Sequence, residues 1–194
     1  GAQTLPLVAA MNPDVVAVLS GSGVAGFYNQ VSYRRSVREE LGKYAGVDTL
    51  DIRNPLVQLI ATVEDLAEPA NYPNDANFLN FAGQVDGCVP LEASRHLDAS
   101  MKLTVANPQW GSIFGSPALD PPTTNGAVSA NVNGRTKVSI EAPGGHGIAY
   151  ANLGIASDFT TAAFAGVAPT VPAGPYGTND LNCEPRWGTI GDGL

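Results

Sequence analysis

Lysine is scarce in this chain of 194 residues: Lys43, Lys102 and Lys137 are the only three. With 10 basic against 18 acidic side chains the formal net charge is −8. That balance argues against nucleic acid or an anionic lipid surface as partner, because both demand a basic face. No apolar run approaches the roughly 20 residues that a membrane-spanning helix needs, so no membrane span is expected. Cysteine is limited to Cys88 and Cys183, too few for a disulfide scaffold or for a zinc site. One bridge in an oxidising compartment and two unpaired thiols are both open readings. Histidine is limited to His96 and His146, with no close Cys, His or Asp spacing, so neither a metal centre nor another cofactor is expected. Gly1-Ala2-Gln3-Thr4 lacks the basic start and apolar run of a signal peptide, and no repeat of 20 to 50 residues is present.

What the chain does have is apolar substance and turn formers: 44% hydrophobic residues, 22 Gly and 15 Pro. That is enough for one sizeable core, which excludes disorder as the overall state. Asn, Thr, Ser and Asp carry the solubility that Lys does not, a composition common in exported bacterial proteins.

Hydrophobic patterning divides the chain into four stretches. Residues 1–23 hold a short apolar helix (Gln3 to Met11, with Pro6 near its first turn) and the β-branched run Val15 to Leu19, a strand buried on both faces. Residues 24–76 form a helical block: a polar helix from Tyr28 to Tyr44, then one opened by Pro55, with Leu56, Leu59, Ile60, Val63 and Leu66 on one face and Pro69 beyond its end. Residues 77–165 return to strand composition at Asn77 to Ala82, followed by a Gly83–Gly87 loop and a helix from Pro90 to Met101. An irregular insertion over 102–135, carrying a hairpin, precedes the alternating strand Thr136 to Ala142 and an Ala-rich helix from Ile148 to Ala165. Residues 166–194 are a Pro/Gly-rich tail with Cys183 and Trp187 as its anchors. Strands alternating with helices predict an α/β fold with a parallel sheet.

In such a sheet, ligands meet the loops at the carboxyl ends of the strands. Two loops there carry suitable side chains: Gly83-Gln84-Val85-Asp86-Gly87-Cys88-Val89-Pro90, and Gly144-Gly145-His146-Gly147. An Asp and a His on neighbouring strand ends can form an orienter–base pair, the Asp fixing the imidazole tautomer and stabilising the imidazolium. Glycines around His146 keep the backbone from crowding a reacting centre. His96, in the helix after the first loop, reads as a solvated or partly packed helix residue.

The strand–Gly-x-x-Asp-x-x-x-Pro segment (Gly83 to Pro90) resembles the acid loop of the α/β-hydrolase superfamily, and the strand–Gly-Gly-His-Gly segment resembles its histidine loop. The order Asp before His is the family's order. Asp14–Gly23 (DVVAVLSGSG) and Asn54–Tyr72 are similar to segments of bacterial exported esterases and lipases, where a strand ending in Leu-Ser-Gly precedes a helical cap. Over residues 1–165, the resemblance implies the carboxyl-terminal half of an α/β-hydrolase sheet with a helical cap insertion. It implies Asp86 and His146 as catalytic residues and a hydrophobic ester as substrate. Leu56, Leu59, Ile60 and Val63 from the cap, with Trp110 and Phe114 from the insertion, would line the substrate pocket.

The family's nucleophile elbow, Gly-x-Ser-x-Gly, does not occur in the chain. Ser22, in Ser20-Gly21-Ser22-Gly23, is the candidate nucleophile if the chain is complete. Alternatively Gly1-Ala2-Gln3-Thr4 and its apolar helix stand where the elbow's last glycine would be. A companion polypeptide immediately upstream would then carry the serine, an expectation that matches a count of only three strands. A non-catalytic, hydrolase-like binding subunit is the reading from another class.

Overall fold

The computed structural model describes residues 4–23, 25, 35–48, 51, 53–68, 71–72, 74–108 and 120–181. In chain order these form α1 (Leu5–Met11), β1 (Ala17–Gly21), α2 (Arg35–Ala45), α3 (Pro55–Ala67), β2 (Asn77–Gly83), α4 (Leu91–Ser100) and β3 (Thr104–Ala106). There follow β4 (Thr123–Thr124), β5 (Val128–Ser129), β6 (Lys137–Ala142), α5 (Ile148–Ala151), α6 (Leu153–Phe164) and β7 (Thr170–Val171).

Five strands make one sheet in the spatial order β1-β2-β6-β3-β4, every pairing parallel. The chain is therefore an α/β protein with a parallel sheet. The two central strands, β2 and β6, are buried at every residue, and their side chains alternate between two cores as a pleat dictates. Leu79, Phe81, Val138, Ile140 and Ala142 point into one core with Ile148 of α5 and Phe159 of α6. Phe78 points the other way, to Val18 of β1, Ala9 of α1, and Leu97, Met101 and Leu103 in and after α4. Each fully buried Phe or Leu stabilises by about 1.5–3 kcal/mol relative to exposure, so helices on both faces are what make this central pair viable.

Local signals explain the helix ends. Asn54 caps α3, its Oδ1 accepting from Leu56 N at 2.9 Å, and Pro55 occupies the first helical position, where its missing N–H costs nothing. The expected Ile148–Ala165 helix is broken at Asn152, whose backbone (φ −123) leaves the helical region. Its side chain instead donates to Ile148 O and Gly177 O and accepts from Gly177 N.

Several expectations differ from the structure. The first strand begins two residues later than the β-branched run and continues through Ser20 and Gly21, because these pair with Asn80 and Phe81. Among the described residues the sheet has five strands rather than three; β3 and β4 span three and two residues, too short to generate a periodicity. Among the described residues of the insertion, the expected hairpin reduces to a single bridge, Val132 to Arg135, closed by Asn133 and Gly134, both at positive φ, as a type I′ turn requires. The polar helix is described from Arg35 onward; its expected start at Tyr28 lies outside the described residues, as do Cys183 and Trp187. The described part of the tail is anchored by Tyr176, buried in the first core with its hydroxyl donating to Pro172 O.

On the α4 side, the sheet carries a buried polar row. Asn80 Nδ2 donates to Ser139 Oγ and to Asp98 Oδ1. Arg95 and Glu141, both fully buried, pair through two parallel bonds, Nε to Oε1 and Nη2 to Oε2, the latter at 2.9 Å. Asp98 is wholly buried, and desolvation, reinforced by the Glu141 carboxylate, pushes its pKa up to about 8. Between the ordinary carboxylate range and about 8 the unfolded chain has released this proton while the folded chain keeps it, so this group lowers stability as pH rises. Asp98→Asn therefore gains on the wild type by on the order of 1 kcal/mol per pH unit across that window. Urea unfolding midpoints of the two proteins at pH 5 and pH 8 check this; a difference that does not grow with pH contradicts it.

Candidate active site

The register of β2 on β6 sets the site. Gly83 lies opposite Ala142, so the loops following the two strands leave the sheet at one level. They are stitched together by Gln84 N to Ala142 O (3.1 Å) and Val85 N to Gly144 O (3.0 Å). The approach leaves no room for a side chain at Gly83, where a Cβ would meet Gly145 O at 2.2 Å and Gly144 O at 2.7 Å. Gly144 sits at φ +142 with Asn179 O against the place of its missing Cβ, a conformation and a space that only glycine suits.

Across this junction Asp86 Oδ2 and His146 Nδ1 are 2.9 Å apart. The Asp86 side chain is 1% exposed, and that of His146 38%. Oδ1 of Asp86 accepts from the amides of Cys88 (2.7 Å) and Val89 (2.9 Å), and Oδ2 also accepts from Ser22 Oγ at 2.8 Å. A carboxylate accepting on both oxygens leaves the shared proton on Nδ1, which makes Nε2 the nitrogen bearing the basic lone pair. The histidine loop is backed by the tail: Gly145 N donates to Asn179 O (2.7 Å) and Gly147 N to Leu181 O (3.2 Å).

Ser22 follows the end of β1 and is buried. Its φ of +53 is a left-handed backbone that costs a non-glycine residue about 1–2 kcal/mol. The structure places its hydroxyl on the carboxylate, at the Nδ1 side of the imidazole. The other candidates are not gathered here in the same way. Leu59 and Val63 of α3 are 58% and 57% exposed, Leu56 is exposed and Ile60 half-buried. Trp110 and Phe114 lie outside the described residues. His96 pairs through Nε2 with Glu68 Oε2 at 3.0 Å. A cavity of about 530 Å³ opens at the amino ends of β1 and β2, lined by Ala9, Pro13, Val15, Asn74 and Arg135, away from the pair.

Asp86, Cys88 and His146 bring three potential metal-ligating atoms within 4.8 Å of one another. Cys88, however, is disulfide-bonded, and no described cysteine is free. A sulfur in a disulfide is not the thiolate that a zinc centre needs, so this donor set does not fit a metal. The chain's one other cysteine is Cys183. A bridge, rather than two thiols, is thus the state of Cys88.

Both members of the pair are legible in the sequence, whereas the groups that surround them are not. Asn80, the one amide inside the apolar strand Phe78–Ala82, was the available signal for a buried polar row, and Ser-Gly-Ser-Gly was the available signal for a tightly held turn.

Gly83→Ala is expected to force the two loops apart and destabilise the fold by about 1–3 kcal/mol. Gly154→Ala, at a helical site with open space around it, is expected to stabilise by up to about 1 kcal/mol. Denaturant titration of the two variants checks the contrast, and equal effects would contradict it. No protein-family model matches the chain, and comparison with curated proteins and with solved structures gave no match.

Proposed function

We propose that this chain supplies the acid and base of a serine hydrolase of the α/β-hydrolase type, acting on hydrophobic carboxylic esters outside the cytoplasm. The observation that carries the reading is the 2.9 Å contact between His146 Nδ1 and Asp86 Oδ2, made by residues 60 apart in sequence at the carboxyl ends of adjacent parallel strands. The disulfide at Cys88 supports an oxidising compartment.

In the proposed reaction His146 Nε2 takes the proton of a serine hydroxyl as that oxygen attacks the ester carbonyl carbon. The tetrahedral intermediate collapses with breakage of the ester C–O bond, and the imidazolium returns the proton to the leaving alcohol. Water then attacks the acyl-enzyme with His146 again as base, which releases the carboxylic acid and restores the serine. Asp86 orients the ring throughout.

The serine comes from a companion segment preceding β1 in the fold. Ser22 suits that role poorly, because its hydroxyl is committed to the carboxylate rather than to the base. What supports a companion there is that β1 is the edge of the described sheet, where a further parallel strand could pair with its backbone. Helices α2 and α3 form the cap in this reading. The exposed stripe Leu56, Leu59 and Val63, with Ile60, offers apolar surface for the acyl chain. No helix among the described residues is long and apolar enough to cross a membrane. The absence of a Gly-x-Ser-x-Gly elbow favours a second reading, a hydrolase-like binding subunit without catalysis.

A fluorophosphonate probe separates the two. Applied to the protein purified together with whatever polypeptide accompanies it, the probe is expected to label a serine on the companion, and His146→Ala to abolish that labelling. Asp86→Asn is expected to lower ester hydrolysis by about 10⁴-fold. Absence of labelling on any polypeptide would support the binding subunit.

A further inference from the structure

Ser22 is held with more care than a turn residue needs. Its own N–H donates to Phe81 O at 2.7 Å, and Gly23 N donates to Asn80 Oδ1 at 2.9 Å. Gly23 O accepts from Ser94 Oγ on α4 at 2.9 Å. Gly23 is packed so closely that a Cβ there would meet Ser20 Oγ at 2.2 Å and both Asn80 Oδ1 and Leu97 Cδ2 at 2.7 Å. These contacts from β2 and α4 fix a left-handed backbone at Ser22, and the product of that conformation is one contact, Ser22 Oγ to Asp86 Oδ2 at 2.8 Å. That oxygen is the same one His146 Nδ1 faces at 2.9 Å.

We propose that Ser22 is a positioning residue for the Asp86–His146 pair, its hydroxyl sharing Oδ2 with the imidazole so as to fix the carboxylate and draw off part of the negative charge that the ring feels. The inference rests on the reading of Asp86 and His146 as a working acid–base pair. Asn80, through Gly23, is the strut that keeps the hydroxyl in place. With two amides on Oδ1 and a hydroxyl on Oδ2, the carboxylate keeps its plane when the ring charges and discharges, and its acceptor strength toward Nδ1 is moderated. The Ser-Gly-Ser-Gly turn thus serves the acid from outside the acid loop, across two strands.

Other ionisable groups on the surrounding elements are Glu92, Arg95 and Asp98 of α4, Glu141 of β6 and Asp180 of the tail. Arg95 and Glu141 neutralise one another, and burial favours the neutral forms of Glu92 and Asp98. The Ser22 hydroxyl bonds to Asp86 rather than to any of these groups.

The test is an NMR titration of the two histidine rings in the full chain, His146 being assigned with His96→Gln. Ser22→Ala and Ser22→Gly both delete the hydroxyl, and glycine also relieves the left-handed backbone. Both are expected to raise the His146 titration midpoint by roughly half a pH unit, since the whole charge of Oδ2 then faces the ring. An unchanged midpoint in both variants overturns the proposal, and so does a fall, which would mean that the hydroxyl only braces the loop. Asp86→Asn tests the underlying pair separately: it is expected to lower the midpoint, and an unmoved His146 there would refute the pair itself. A measurement on the wild type needs no variant to fold. The Ser22 Cβ resonance is expected to shift with the His146 midpoint, and a resonance flat across that range overturns the proposal.

Discussion

The rest of the site depends on the parallel pairing of β2 with β6. Because Gly83 stands opposite Ala142, two loops that are remote in sequence leave the sheet side by side, and a single hydrogen bond can join an acid on one to a base on the other. Parallel pairing requires long crossovers, and the chain spends them well. The β2-to-β6 excursion holds α4, β3 and β4, which close the far side of the sheet. α5 and α6 then cover the opposite face. Side chains along the two strands serve core formation on alternate positions, which leaves the ends to glycine and to the Asp86–His146 contact.

The sheet is not apolar on both faces. Asn80, Ser139, Asp98, Arg95 and Glu141 form a polar layer beneath α4, and a buried ion pair of this sort is weak support for stability while being costly to break on one side only. Its value here is specificity of position. Asn80 reaches in two directions, to Asp98 and Ser139 on one side and to the Gly23 amide on the other. The packing of α4 and the conformation of the turn after β1 are thus linked through one side chain. A chain of apolar residues at these positions would pack as well but would leave the Ser22 turn without a defined place.

Much of this was readable from residue order, for physical reasons that differ by element. Long apolar strands, a Pro-opened helix and Gly-rich loops around a single Asp and a single His each leave a local signature, and β2, β6, α3, Asp86 and His146 are legible from those. Strands of two or three residues leave none, since their pairing is decided by neighbours already in the sheet. Ser22 is ambiguous for a different reason: a serine between glycines looks the same whether its hydroxyl attacks a substrate or braces a carboxylate, and its contact with Asp86 arises only in the fold. The face of α3 illustrates the same limit, because a helical stripe of Leu, Ile and Val states that a surface is apolar without stating what it meets.

The histidine loop takes its backing from residues that follow it by more than thirty positions, with Gly145 and Gly147 donating to the carbonyls of Asn179 and Leu181. At the other extreme, the acid is braced by Ser22, near the start of the described fold. The pair is therefore braced from both ends of the described fold, and during synthesis its last hydrogen bonds must wait until Asn179 and Leu181 have emerged from the ribosome. A partly made chain can form β1, β2 and α4 while its base still lacks a support. The geometry at His146 is in that sense a record of completed folding, reached only after the residues that back its loop have arrived.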